Sequence, residues 1–129
     1  MIIDNALFAS DSILIPVECE YYAYDALTQM VNKINQLQNI KREHSLTLTI
    51  EGVLLTMFDA RTKLDNEVSI EVRKFFKERV YDISIPQSVK IPVAQSKGKP
   101  ITFYDKGCAA AKAYTQLAAE LVKKHESVN

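Results

Sequence analysis

The chain is poor in glycine and cysteine, carries no surplus of either charge, and has no long uninterrupted apolar run. Each shortage excludes something. Two cysteines, Cys19 and Cys108, in 129 residues do not make a disulfide framework. Both lie in apolar-rich surroundings that suit reduced, partly buried thiols. Sixteen Lys plus Arg balance sixteen Asp plus Glu, so no global field draws the chain to nucleic acid or membrane. Any such affinity must come from a local patch. Residues 1–5 contain no basic segment leading into an apolar stretch, so neither a signal peptide nor a membrane span is expected. The three glycines are Gly52, Gly98 and Gly107, and none falls in the Gly-x-x-x-x-Gly-Lys-Ser/Thr spacing that wraps a triphosphate in backbone N–H groups. His44 and His125 stand apart from any Cys, Asp or Glu at metal-ligand spacing, and no Ser-His-Asp or Cys-His grouping occurs. No catalytic residue and no metal ligand are assigned, and both histidines read as surface residues.

What is present is a globular composition. The apolar fraction is 47% and the charged fraction 25%, which suits one packed domain over residues 1–129. Residues 12–17 (SILIPV), 48–57 (LTIEGVLLTM) and 80–85 (VYDISI) are short apolar runs without strict alternation, the mark of strands covered on both faces of a parallel sheet. Residues 21–38 carry apolar positions three and four apart (Ala23, Ala26, Leu27, Met30, Val31, Ile34, Leu37), which predicts a helix. A second helix is predicted over 66–79 (Val68, Val72, Phe75, Phe76), capped by Asp65 or Asn66. A third is predicted over 106–124 (Ala110, Tyr114, Leu117, Ala118, Leu121, Val122), with Asp105 as its cap. The polar tail after Leu121 is expected to fray. The order strand, helix, strand, helix, strand, loop, helix implies right-handed βαβ units and an α/β fold, a parallel sheet with flanking helices. Three strands make a small sheet whose apolar edge calls for a neighbour.

Three collinear blocks then carry a resemblance. Residues 5–23 (NALFASDSILIPVECEYYA), 50–62 (EGVLLTMFDART preceded by Ile50), and Ile85-Pro86 with Gly98-Lys99-Pro100-Ile101 and Tyr104-Asp105 are similar to the C-terminal half of ParA/Soj-type partition ATPases, relatives of MinD. The resemblance spans nearly the whole chain. It implies a partial P-loop NTPase (Rossmann-like) fold, and a protein that is cytoplasmic and nucleoid-associated. That family uses ATP and Mg²⁺ to form a dimer that binds DNA nonspecifically, and a ParB-like partner stimulates hydrolysis. Its phosphate loop and second acidic motif have no counterpart in these 129 residues. Neither ATP hydrolysis nor cofactor binding is therefore expected of this chain alone, unless a separate N-terminal P-loop half complements it.

The resemblance also assigns residues. Asp59, Pro86 and Gln87 fall on the adenine side of the nucleotide site. Glu20 falls at the dimer interface, where an acid near a helix start would also suit the helix dipole alone. Arg61 and Lys90 match DNA-contacting arginines. Gln87 replaces an Arg, Ser88 an Asn and Lys90 an Arg of the family pattern, which keeps charge at Lys90 but loses the planar fork. The departures at Pro92, Val93 and Gln95 lie in the same stretch. Met1-Ile2-Ile3-Asp4 is similar to the end of a Walker B strand, though Asn5-Ala6-Leu7 follows without the family's spacing; chance residues after a start codon are the alternative. Lys90, Lys97, Lys99 and Lys106 against Asp105 make a small basic patch with Arg61, or simply a solvated loop. Three readings stay open: a truncated or split partition protein, a noncatalytic DNA- or ParB-binding module, and a decayed remnant. Marginal stability or self-association through the exposed sheet edge is expected.

Overall fold

The computed structural model describes residues 2–128, and side chains as far as residue 126. The elements follow in the order α1 (Ile2–Ala9), β1 (Ser12–Glu18), α2 (Ala23–Glu43), β2 (Thr49–Thr56), α3 (Lys63–Phe76), a 3₁₀ turn (Lys77–Arg79), α4 (Lys90–Ser96), α5 (Ile101–Tyr104) and α6 (Ala109–Val128). β1 and β2 pair in parallel, Ser12 opposite Thr49 through Glu18 opposite Thr56. Between Ile13 and Leu14 the partners jump from Ile50 to Gly52, leaving Glu51 as the extra residue of a bulge.

The fold class is the α/β arrangement read from the sequence, and several details differ. The third run, 80–85, does not form a regular strand. It touches β2 through two parallel bridges, Val53 with Val80 and Phe58 with Pro86. Tyr81 N–H donates to the Val53 carbonyl (3.0 Å) and Ile85 N–H to that of Leu55 (2.8 Å), and the chain bows between them. Gly52 explains part of the departure. A Cβ there would meet the Tyr81 ring at 2.4 Å, so the ring occupies the space that a side chain on β2 would need. Residues 2–9, the start of which resembles a Walker B strand, are helical, and Asp4 pairs with Lys33 of α2 at 2.8 Å. Asp105 is not the cap of a helix starting at 106. It ends α5, and α6 begins at Ala109, with the Cys108 sulfur accepting the Ala111 N–H at 3.4 Å.

Packing follows the alternation of β1 and β2. Ile15, Val17, Val53 and Leu55 point to the side of α2 and α3, where they join Leu27, Ile34, Leu37, Val72 and Phe76. Leu54, with Leu14 beside it, points to the other side and meets Ile85, Ala113 and Leu117 of α6. A third small cluster joins Ala94, Ile101 and Ala111 beneath α4 and α5. The predicted helical stripes are mostly the buried ones, but Ala26, Phe75, Tyr114, Ala118 and Val122 face solvent. α2 runs one and a half turns beyond 38 because Lys41 is buried. Its Nζ donates to the Ser10 and Leu7 carbonyls and so ties α2 to the end of α1. The tail past Leu121 stays helical through Val128. Lys124 and His125 reach Glu51 at 3.3 and 3.1 Å, filling the bulge with an ionic contact.

Candidate functional site

Parallel strands end on one side, so the loops after β1, after β2 and after the 80–86 run open together. This is the side on which open α/β sheets bind ligands. Glu18 stands opposite Thr56 in the register, and the Thr56 hydroxyl donates to the Val17 carbonyl at 3.3 Å. Phe58 joins the other two loops. Its N–H donates to the Ile85 carbonyl (3.0 Å), and its carbonyl accepts the Gln87 N–H (3.1 Å). Asp59, Pro86 and Gln87 are therefore held within one backbone ladder, although 26 sequence positions separate Asp59 from Ile85. β2 turns into its loop through Met57, an exposed residue with φ 51°, a left-handed conformation in which a residue with a Cβ is strained.

The loop after β2 is knitted by its own polar groups. The Asp59 carboxylate accepts from the Arg61 N–H and Nε at 3.0 Å through one oxygen and from Nη2 at 3.0 Å through the other. These bonds hold the Asp59 carboxyl below the usual carboxylate range and raise the Arg61 guanidinium. Asp59 N–H in turn donates to the Asp65 carboxylate at 2.7 Å. Thr62, not Asp65 or Asn66, caps α3: its hydroxyl accepts the Asp65 N–H at 3.2 Å. Asn66 instead donates to the Ala60 and Thr62 carbonyls, both at 2.8 Å. Asp65 and Asn66 are builders of the loop, a role that the sequence reading missed. The available signal was Thr62 three residues ahead of an acid, the spacing of a capping box.

The two residues matched to DNA contacts are both engaged in ion pairs. Arg61, 90% exposed in its side chain, forks onto Asp59. Lys90 reaches Asp105 across the α4–α5 turn, which raises its own ammonium and lowers the Asp105 carboxyl. Ser88, standing where the family has Asn, accepts the Lys90 N–H at 3.2 Å and so shapes the start of α4. Lys97, Lys99 and Lys106 are exposed. Glu20 is exposed beside the end of β1, and the rings of Tyr21 and Tyr22 next to it meet edge to face at 5.1 Å. A shallow cavity of about 190 Å³ runs along the open side of β1, lined by Ile15, Pro16, Val17, Glu18, Glu20 and residues of α2.

Cys19 is buried just past β1, and burial, aided by the nearby Asp65 charge, pushes its thiol up to about 11. Such a thiol is a poor nucleophile. Among the described residues no three His, Cys, Asp or Glu side chains gather as a metal site would require, and no helix is long and apolar enough to cross a membrane.

Residues 1–50 match the AAA domain family. Over 117 residues the chain is 48% identical to the sporulation initiation inhibitor protein Soj of Bacillus subtilis, covering 91% of this chain and 45% of that protein. It is 38% identical over 120 residues to the chromosome partitioning protein ParA of Caulobacter vibrioides, covering 93% of this chain and 44% of that protein. The chain thus spans a little under half the length of these relatives. The fold aligns with cobyrinic acid a,c-diamide synthase from Mycobacterium smegmatis, solved with an ATP analog and magnesium bound, at a TM-score of 0.70 and 23% identity, covering 97% of this chain and 43% of that one.

Proposed function

Since the chain belongs to the Soj/ParA family of chromosome-partitioning proteins and matches the C-terminal part of its members, we propose that it supplies the base-side and DNA-facing flank of a nucleotide-switched partition dimer. The observation that carries this reading is the Phe58 ladder, which joins the Asp59 loop to Pro86 and Gln87 at the open end of the sheet. A proline ring and an amide side chain beside one another suit the edge and face of an adenine. The triphosphate is a different matter. The Asp59 carboxylate is committed to Arg61, and the 129 residues contain no glycine-rich loop with a lysine to neutralise phosphates. The chain therefore fits the base and not the phosphates, and the phosphate loop must come from outside these residues. When bound, ATP with Mg²⁺ would supply the energy of the switch. This chain's part is to hold the base and to present Glu20 toward a partner copy and Arg61 and Lys90 toward DNA, with a ParB-like protein acting on the assembled dimer.

The test is complementation. The 129-residue chain alone should turn over no ATP in Mg²⁺. Mixed with a polypeptide covering the N-terminal, P-loop part of the B. subtilis relative, it should restore DNA-stimulated hydrolysis. Turnover by the isolated chain would overturn the assignment.

A second reading, a noncatalytic DNA-binding module, draws on the exposed Lys97, Lys99 and Lys106. It predicts nonspecific DNA binding by the isolated chain that weakens steeply with salt. In that case Arg61→Ala should weaken binding less than a Lys97/Lys99/Lys106 triple alanine variant, because Arg61 is already engaged with Asp59.

A further inference from the structure

Charge is unevenly distributed although the total is zero. Residues 1–85 hold nine Lys or Arg against thirteen Asp or Glu, and residues 86–129 hold seven against three. Each region also exposes apolar surface beside its excess charge. On the acidic side a groove of about 300 Å³ lies between the start of α2 and α3. Val68 and Val72 form its floor, Tyr21, Tyr24 and Leu64 its walls, and Glu67 and Glu71 its rim. Tyr21 is 77% exposed, and Leu64 lies open beside it. Among the described residues, the rim acids pair with exposed lysines of the same helix, Lys63 at 3.7 Å and Lys74 at 3.5 Å, contacts of little energetic weight. On the basic side Phe103 of α5 projects with 83% of its surface in water, flanked in sequence by the exposed Lys99 and Lys106.

We propose that these two surfaces fit each other on separate copies of the chain. Phe103 seats among Tyr21, Tyr24 and Leu64, while Lys99 and Lys106 face Glu67 and Glu71. An aromatic anchor ringed by opposite charges is the usual composition of an interaction centre. The two surfaces differ, so the contact is head-to-tail, and each added copy leaves one surface open for the next. This contact is separate from the open edge of β1, and it does not depend on nucleotide.

Sedimentation of the 129-residue chain over a concentration series tests it. The expected result is a ladder of weak oligomers that shrinks as salt rises from about 0.1 M to about 1 M, where the Debye length falls from about 10 Å to about 3 Å. Phe103→Ser, at an exposed site outside the core clusters, should weaken association about tenfold or more. Glu67→Lys with Glu71→Lys should do the same. Mixing those two variants should yield one-to-one dimers and nothing longer, because each retains one intact surface. A monomeric wild-type chain overturns the proposal. So does association that survives either variant, the outcome expected of pairing through the β1 edge. Circular dichroism of each variant confirms that the fold persists.

Discussion

Residues 2–76 and residues 77–128 are built by different rules. The first region has two paired strands and two long helices around one continuous core, with Ile34, Val53 and Leu55 fully enclosed. The second replaces a third strand by two isolated bridges, and it supports α4 and α5 on a cluster of two alanines and one isoleucine. The first holds the surplus of acid, the second the surplus of base. The larger core therefore belongs to one region, while Pro86 and Gln87, which we propose for the base side, and the lysines Lys90, Lys97, Lys99 and Lys106 belong to the other. A lightly packed segment hung on a rigid one is where a binding loop can adjust without unfolding the whole.

The largest test of this contrast compares two buried deletions. Leu55→Ala should cost about 2–5 kcal/mol and lower the midpoint of the whole unfolding transition. Ile101→Ala should lower global stability less and act instead on hydrogen exchange in α4 and α5. Equal global effects would erase the distinction. Next comes the seam between the regions. Gly52→Ala should destabilise by about 1–3 kcal/mol, because its methyl group meets the Tyr81 ring. Most of that cost should vanish when Tyr81 is also changed to Ala, as a double-mutant cycle would read.

A smaller effect concerns pH at the same seam. Burial pushes the Glu51 carboxyl up, but the hydrogen bond and charge of Lys124, with His125, outweigh it and hold the group below its ordinary 4.5. A carboxylate lowered in the folded chain contributes stability above its unfolded value, and that contribution is lost as pH falls through the folded one. Amide protection at the end of α6 should therefore fall as pH drops below about 4.5, and Glu51→Gln should flatten that fall. The smallest test uses the two thiols as reporters. Cys108, half-buried at the start of α6, should be alkylated in the native chain; Cys19, whose thiol is raised to about 11, should react only when the first region opens. Similar rates for both would contradict the contrast.

The first region was largely legible in the sequence because its signals are periodic. The apolar runs at 12–17 and 48–57 and the stripe from Ala23 to Leu37 each announce an element that exists. The second was less legible because its geometry is set by contacts between distant residues. Nothing local in 80–85 forbids a strand; the Tyr81 ring over Gly52 and the bow between two bridges are tertiary facts. An acid before an alanine-rich run predicts Asp105 as a helix cap, yet Pro100 starts a separate short turn and α6 begins at Ala109. At the site, the positions of Asp59, Pro86 and Gln87 came from resemblance, while the pairing of Arg61 with Asp59 and of Lys90 with Asp105 required coordinates.

Phe58 spends both of its main-chain hydrogen-bonding groups on the far run, one on Ile85 and one on Gln87. The two loops are thus tied at one point, and parting them breaks both bonds. On the proposed function, a base held at Gln87 and a DNA contact made by Arg61 would share this single residue as their yoke.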